Sequence, residues 1–196
     1  MRLIRTQYKS MTDEELMIAM SKGDKRAFDE IYGRYASPLL GYFTRMLWRD
    51  HEKAEDFVHD IFAKIIRKPQ LFDPSRKFKT WLYSVANNMC KNEYKKQEVR
   101  KNTSNGLDNH YGLSDAAANV VGEVQDVQFR EKFEASLEAL DAKHSEVFSL
   151  RHMEGLAIKE IAEILAISEG TVKSRLFYAT RYLAESLKDF NPVINR

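Results

Sequence analysis

Residues 158–187, IKEIAEILAISEGTVKSRLFYATRYLAESL, decide the fold, because they contain two amphipathic segments separated by only three residues. Apolar residues spaced three and four positions apart predict one helix over 158–165 and another over 169–187. Ser168 is a favourable N-cap for the second helix, because its hydroxyl can accept a hydrogen bond from the first turn. Two helices joined by so short a turn form the helix-turn-helix arrangement.

The rest of the chain shows the same helical spacing, and no segment alternates strictly between apolar and polar residues. The clearest helix is predicted over 51–67, where apolar residues recur at i, i+3, i+4, i+7 and i+8. Further helices are expected to begin at Thr12, Asp24 and Ser37-Pro38, to run from Thr80 to about Gln97, and to cover 127–140 and 142–153. The sequence therefore predicts an all-α protein.

A polar, turn-rich stretch divides the helical pattern into two parts. Residues 102–126 contain no Lys or Arg, four acidic residues and no sustained helical period. We interpret this stretch as a flexible acidic linker, because it is longer than an ordinary loop of a compact domain. The expected organisation is an N-terminal helical domain over 11–98, a linker over 99–126 and a C-terminal helical domain over 127–190.

The charge is unevenly distributed along the chain. The 196 residues include 31 Lys and Arg and 29 Asp and Glu, which gives a formal net charge of +2. Residues 64–101 alone have a net charge of +8, whereas residues 102–126 have a net charge of −4. A partner responds to the charge within about 8 Å at physiological salt. The near-neutral total is therefore compatible with DNA binding, and it favours a role in which affinity for free DNA is low.

The sequence carries no pattern typical of an enzyme or a metal site. It lacks a phosphate-binding G-x-x-x-x-G-K-[ST] loop and an H-E-x-x-H motif, and Cys90 is its single cysteine. We therefore expect no catalytic residue, no metal and no cofactor. No apolar run approaches the roughly 20 residues that span a bilayer, and the first residues lack the apolar core of a signal peptide. The expected location is the cytoplasm, without direct membrane insertion.

The last predicted helix has one face suited to DNA. Val172, Leu176, Ala179 and Leu183 form its apolar stripe. The opposite side carries polar, basic and aromatic residues, which are Ser174, Phe177, Tyr178 and Arg181, flanked by Lys173 and Arg175. Basic and hydroxyl groups can donate to phosphates or base edges, and the start of the helix can bind a phosphate. The alternative is a solvated helix face with two exposed aromatic residues.

A second candidate nucleic-acid surface lies between Phe72 and Lys101, where aromatic and basic residues are interleaved. Cations follow a nucleic-acid backbone, and aromatic rings can stack on unpaired bases. Asn87, Asn88 and Asn92 add amides that can bind base edges. Core packing alone would explain Trp81, Val85 and Met89. The chain therefore has one candidate contact for duplex DNA and one for unstacked bases.

With these pieces in this order, the sequence resembles a bacterial sigma factor of the extracytoplasmic-function (ECF) group, within the sigma-70 family. The resemblance extends from about Met11 to Phe190 and rests on five stretches, which are 23–28 (GDKRAF), 54–62 (AEDFVHDIF), 78–88 (FKTWLYSVANN), 156–162 (LAIKEIA) and 170–176 (GTVKSRL). It implies two small helical domains, a region 2 bundle and a region 4 helix-turn-helix, in a subunit that directs core RNA polymerase to promoters.

The resemblance also implies roles for individual residues. Those expected to dock on the polymerase are Glu55, Asp56, His59 and Asp60. Those expected to bind the melted −10 element are Phe72, Lys79, Trp81, Tyr83, Asn87, Asn88, Lys91, Asn92 and Lys95, with Phe72, Tyr83 and Asn88 matching the pocket for a flipped base. Those expected to bind the −35 duplex are Arg151, Ser168, Thr171, Lys173, Ser174, Arg175, Phe177, Tyr178 and Arg181.

The partners implied by the resemblance are core RNA polymerase, promoter DNA and an anti-sigma factor. The linker would run through the active-site cleft of the polymerase. One alternative remains a helix-turn-helix regulator whose N-terminal domain senses a ligand or dimerises. A more distant one is an adaptor that docks on another protein through the acidic residues of the helix predicted over 51–67 and has no dependence on DNA.

Overall fold

The computed structural model describes residues 7–103 and 124–190, and the regular secondary structure within these two ranges is entirely helical. The N-terminal helices are α1 (Asp13–Ser21), α2 (Lys25–Met46), α3 (His51–Arg67) and α4 (Phe78–Thr103). The C-terminal helices are α5 (Val124–Ala139), α6 (Ala142–Phe148), α7 (Ile158–Leu165) and α8 (Glu169–Ser186). The predicted all-α fold is confirmed, and the bounds predicted for α3 and α7 agree with the structure.

The N-terminal helices pack around one apolar core. α2 lies at its centre and contacts α1, α3 and α4. Ile31 and Phe43 of α2, Ile61 of α3, and Phe78 and Leu82 of α4 are completely buried there. Each carries an apolar side chain at helical spacing, so burial of these faces stabilises the domain.

The prediction that Ser37-Pro38 begins a separate helix is wrong, because α2 continues without a break from Lys25 to Met46. Proline lacks the N–H that an interior helical position donates, which is why it usually ends or starts a helix. Here Pro38 is exposed, while Tyr35, Leu39 and Tyr42 around it are buried in one continuous stripe. Burial of that stripe outweighs the lost hydrogen bond.

We expect Pro38→Ala to raise the free energy of unfolding by about 1–3 kcal/mol, because proline is about 3 kcal/mol less favourable than alanine inside a helix. Urea unfolding followed by circular dichroism measures this change. Ser37→Ala, at the exposed neighbouring position, is the matched control and should change stability by less than about 1 kcal/mol. Equal effects of the two substitutions would show that Pro38 does not strain α2.

The helix predicted to start at Thr80 instead begins at Phe78 and continues to Thr103, beyond the expected end at Gln97. The first turn is capped from another helix, because the backbone N–H of Phe78 donates to Glu14 Oε1 at 2.8 Å. Thr80 is thus inside the helix and buried. A carboxylate from α1 satisfies a donor that local sequence leaves without a cap.

The C-terminal helices confirm the predicted helix-turn-helix. α7 ends at Leu165 and is followed by the C-cap Ala166, whose φ of +56° places it in the left-handed region, and Ser168 caps α8. The helix predicted over 142–153 is α6 followed by a π-helical turn, Ser149–Met153. Leu137, Leu140, Ala179 and Leu183 form a small apolar core between α5 and α8.

The predicted linker lies mostly outside the described residues. Its expected ends are helical, because α4 extends to Thr103 and α5 begins at Val124. The two helical parts meet where α4 packs against α7. One buried apolar cluster continues across this contact, from Tyr83 and Ala86 of α4 to Ile161 and Ile164 of α7. This contact determines which of the predicted functional residues are accessible.

Candidate nucleic-acid interface

One face of α3, which we call its acidic face, carries Glu55, Asp56, His59 and Asp60 and is exposed to solvent. Ala54, Val58 and Ile61 are buried on the other side of the helix, and Asp50 caps its start by accepting a hydrogen bond from the Lys53 N–H at 3.0 Å. All four residues predicted to dock on the polymerase are exposed, namely Glu55, Asp56, His59 and Asp60. The structure thus brings them together on one face, and none of them forms an ion pair with the described part of the chain.

Helix α4 and the loop before it separate the predicted −10 residues into three groups. The first group is packed in the core of the N-terminal domain. The ring of Phe72 lies 5.3 Å from that of Phe78 and 5.4 Å from that of Trp81, measured between centroids. Phe72 is buried and Trp81 is half-buried. In this arrangement both rings stabilise the domain rather than offering an open surface to a base.

The second group faces the C-terminal domain. The Tyr83 hydroxyl donates to Glu154 Oε2, and Asn87 Nδ2 donates to the Ile164 carbonyl at 3.1 Å. Lys79 Nζ donates to the backbone carbonyl of Glu154. Burial, with the neighbouring Glu154 carboxylate, raises the pKa of Tyr83 well above its usual range. With the domains in contact, these side chains are occupied by residues of the same chain.

The third group is accessible. Asn88, Asn92 and Lys95 are exposed along α4, and Lys91 is half-buried. Of the three residues expected to form the pocket for a flipped base, only Asn88 is therefore open to solvent. Phe72 and Tyr83 are buried in different surroundings, so the structure does not place the three around one open pocket.

Most of the residues predicted to bind the −35 duplex lie on α8. Lys173, Ser174, Phe177, Tyr178 and Arg181 are all exposed. The set forms one continuous stripe, because the spacing of these residues follows the helical repeat. Phe177 is 61% exposed and Tyr178 is 58% exposed, so two large rings project into solvent beside three polar or basic groups.

The start of α8 presents further groups to this surface. Ser168 Oγ accepts a hydrogen bond from the Thr171 N–H at 3.0 Å, which leaves other N–H groups of the first turn free to bind a phosphate. Arg175 is half-buried, and the exposed Arg151 donates to the Leu156 carbonyl at 2.9 Å. Thr171 is half-buried beside its cap.

Sequence reasoning missed the residues that join the two domains. Arg45 Nη2 lies 2.9 Å from Glu154 Oε1, and Glu154 is only 5% exposed. No sequence motif indicates this pair, because the two residues are 109 positions apart and the residues around each of them show only a helical pattern. An open cavity of about 580 Å³ adjoins the pair and is lined by Arg34 and Lys79 among others.

The single cysteine of the chain, Cys90, is buried in the core of the N-terminal domain. Burial raises the pKa of the Cys90 thiol to about 12, so the thiol stays protonated and packs as an apolar group. Within residues 7–103 and 124–190 no three His, Cys, Asp or Glu side chains are grouped to bind a metal. None of the helices in these ranges is long and apolar enough to cross a membrane.

Comparison with known proteins decides the family. The chain matches the models of sigma-70 region 2 over residues 31–100 and of sigma-70 region 4 over residues 130–183. It is 31% identical over 191 residues to the ECF RNA polymerase sigma-E factor of Haemophilus influenzae, covering 92% of this chain and 97% of the relative. The chain belongs to the ECF sigma factors.

Further ECF sigma factors support this assignment. The SigW factor of Bacillus subtilis is 30% identical over 176 residues, covering 87% of this chain and 94% of the relative. Among solved structures, the sigma factor RpoE of Bartonella quintana, in complex with the anti-sigma factor NepR, has a TM-score of 0.68 at 25% identity. The match covers 82% of this chain and 96% of RpoE. The fold of this ECF sigma factor is therefore similar to that of a solved sigma factor.

The two matched ranges place the helices described above in sigma region 2 and sigma region 4. In this ECF sigma factor, α3 and α4 belong to region 2, and the helix-turn-helix of α7 and α8 belongs to region 4. The exposed stripe of α8 is thus the face of a region 4 helix-turn-helix. The contact between α4 and α7 is a contact between region 2 and region 4.

Proposed function

We propose that this ECF sigma factor docks on core RNA polymerase through the acidic face of α3 and binds promoter DNA through α4 and α8. Its function is to direct promoter-specific initiation of transcription. The observation that carries the proposal is the exposed face of Glu55, Asp56, His59 and Asp60. A DNA-binding α8 would serve any helix-turn-helix regulator, whereas a separate acidic docking face is what a polymerase subunit requires.

The −10 element is the proposed ligand of α4. Asn88 and Asn92 provide exposed amides that can hydrogen-bond the edge of an unpaired base, and Lys95 provides a cation for the backbone. Lys79, Tyr83 and Asn87 lie on the same helix but face region 4. They can join this surface only after the two domains separate, whereas the half-buried Lys91 belongs to the part of α4 that is already accessible.

The −35 element is the proposed ligand of α8. Lys173, Ser174 and Arg181 can donate to phosphates and base edges in the major groove. Phe177 and Tyr178 can contact sugars or thymine methyl groups, because both rings are exposed beside the polar stripe. Tyr178 and Thr180 occupy positions where many family members carry basic residues, so we expect apolar contacts to contribute more here.

The proposed setting follows from these partners. Polymerase and promoter DNA lie in the cytoplasm of a bacterium, so we propose that this sigma factor acts there and carries out no catalysis of its own. The solved structure of RpoE of Bartonella quintana is a complex with the anti-sigma factor NepR. An anti-sigma factor is the corresponding proposed partner of this chain.

Selection of genomic fragments by the purified protein, with and without core polymerase, tests the proposal. We expect fragments with a shared two-part element to be enriched only when core polymerase is present. The competing function, a helix-turn-helix regulator that acts alone, predicts enrichment of a palindromic site by the free protein. Enrichment by the free protein alone, unchanged by core polymerase, would overturn the proposed function.

A further inference from the structure

Two side chains of region 2 hold the Glu154 carboxylate of region 4, and a third holds the backbone carbonyl of the same residue. Arg45 Nη2 lies 2.9 Å from Glu154 Oε1, the Tyr83 hydroxyl donates to Oε2, and Lys79 Nζ donates to the backbone carbonyl of Glu154. Guanidinium, ammonium and hydroxyl donors are the set that binds carboxylates and phosphates. The three side chains therefore form a site on region 2 that is suited to an anion, and Glu154 fills it with its carboxylate and its backbone carbonyl oxygen.

The backbone of region 4 is shaped to deliver this carboxylate. Glu154 follows the π-helical turn Ser149–Met153, and its N–H donates to the Ser149 carbonyl at 3.1 Å. The next residue, Gly155, has a φ of +68°, which favours glycine and turns the chain away. Single π-helical turns within helices often lie at functional sites. The local geometry places Glu154 at the contact between the domains.

The ion pairs around Glu154 have the same distribution of charge between the two domains. In each pair described between the two domains, region 2 supplies the cation and region 4 supplies the carboxylate. These pairs are Arg49 with Glu134 and Glu138, Arg76 with Glu163, and Lys77 with Glu160. Acidic groups of region 4 thus face the cations of region 2 in the way that nucleic-acid phosphates would.

A further carboxylate lies near the predicted DNA-binding cations. Burial raises the pKa of Glu146 of α6 above its usual value, while the positive charges of Lys91 of α4 and Arg175 of α8 act to lower it. Asn87, another predicted −10 residue, donates to the Ile164 carbonyl of α7. Region 4 therefore covers Lys79, Tyr83 and Asn87, which are part of the surface of α4 that the proposed function assigns to DNA.

We propose that Glu154 holds the free sigma factor in a closed form, in which its carboxylate and its backbone carbonyl together occupy a phosphate site made by Arg45, Tyr83 and Lys79. The inference rests on the proposed function, because it takes the covered surface to be the one that binds the −10 strand. Single-stranded DNA and region 4 then compete for the same site. Binding to core polymerase and promoter DNA requires the two domains to separate, and a DNA phosphate replaces the Glu154 carboxylate.

Glu154→Gln tests this closed form, because it removes the charge and preserves the size of the side chain. In the closed form it leaves Arg45 half-buried without its anion, which is costly, whereas in the open form Arg45 is solvated. Small-angle X-ray scattering should show a larger radius of gyration than for the wild type. Because apparent affinity scales with the fraction of open protein, binding of a fluorescent single-stranded oligonucleotide should tighten by about tenfold.

Two further variants sharpen the experiment. Glu185→Gln makes the same change on an exposed residue that pairs only locally, with Lys188, and it should scatter and bind DNA as the wild type does. Arg45→Gln should also open the protein, but it removes a phosphate ligand, so it should not reproduce the gain in DNA affinity. Equal gains for Arg45→Gln and Glu154→Gln would overturn the assignment of Arg45 to a phosphate site.

The scattering measurement separates this inference from the proposed function, because it requires neither polymerase nor a promoter. An unchanged radius for both Glu154→Gln and Arg45→Gln, with helical circular dichroism retained, would overturn the closed form even if core-dependent transcription is intact. A larger radius without any core-dependent transcription by the wild type would overturn the proposed function and leave the Glu154 contact established.

Discussion

Asp56→Arg is expected to weaken binding of this ECF sigma factor to core RNA polymerase by about 30-fold or more. Asp56 lies at the centre of the exposed acidic face of α3, between Glu55 and the pair His59 and Asp60. Reversing its charge replaces an attraction by a repulsion, and disrupting one charge pair at a buried interface costs about 2–5 kcal/mol. A loss of 2 kcal/mol corresponds to about 30-fold in the dissociation constant.

Fluorescence anisotropy of labelled sigma factor, titrated with purified core polymerase, measures this change. Glu131→Arg reverses a charge on an exposed residue of α5, outside region 2, and is the matched control. The melting temperatures of both variants should remain close to that of the wild type, because both positions are solvated. Unchanged affinity of Asp56→Arg would place the docking surface elsewhere.

Asn88→Ala is expected to reduce promoter opening by about tenfold while leaving polymerase binding unchanged. The Asn88 amide is exposed on α4, where it can hydrogen-bond an unpaired base, and a well-formed base contact contributes about 1–3 kcal/mol. That range corresponds to about five- to 150-fold in an equilibrium constant. Competitor-resistant complexes on a promoter measure opening, and the core titration described above measures binding.

Gln70→Ala removes a similar exposed amide from the short turn Pro69–Leu71, outside α4, and should leave both quantities at the wild-type level. Equal losses of opening and of polymerase binding in Asn88→Ala would argue against contact with a base. The same result would indicate that the side chain contributes to docking or to the integrity of α4.

The helical class and the exposure of two candidate faces could be predicted from sequence, because both depend on local periodicity. The apolar stripe of α3 leaves Asp56 and its neighbours in solvent, and the stripe of α8 leaves Phe177 and Arg181 in solvent. Where one face of a helix is strongly apolar, the opposite face is determined as well. These two surfaces therefore needed no tertiary information.

Long-range contacts explain what local reasoning got wrong. The start of α4 depends on a hydrogen bond from Phe78 to Glu14, 64 positions earlier, and the continuity of α2 through Pro38 depends on burial in the core. The basic and aromatic stretch between Phe72 and Lys101, together with the resemblance to sigma factors, also made Tyr83 and Asn87 candidate DNA contacts. It could not indicate that region 4 covers them, because the partners Glu154 and Ile164 lie more than 70 positions away.

The distribution of charge along the chain favoured a polyanionic partner, but it could not show that carboxylates of region 4 pair with some of the same cations. The block of net charge +8 over residues 64–101 favours a polyanionic ligand. In the described structure some of these cations are paired with carboxylates of region 4, as Arg76 is with Glu163 and Lys77 with Glu160. Low affinity of the free protein for DNA is the expected consequence.

Run-off transcription with purified core polymerase on a library of genomic fragments tests the central claim most directly. We predict discrete transcripts that appear only when this sigma factor is added, each starting downstream of one shared pair of −35 and −10 elements. Transcripts identical to those of core polymerase alone, from a folded sample that binds the polymerase, would contradict the claim.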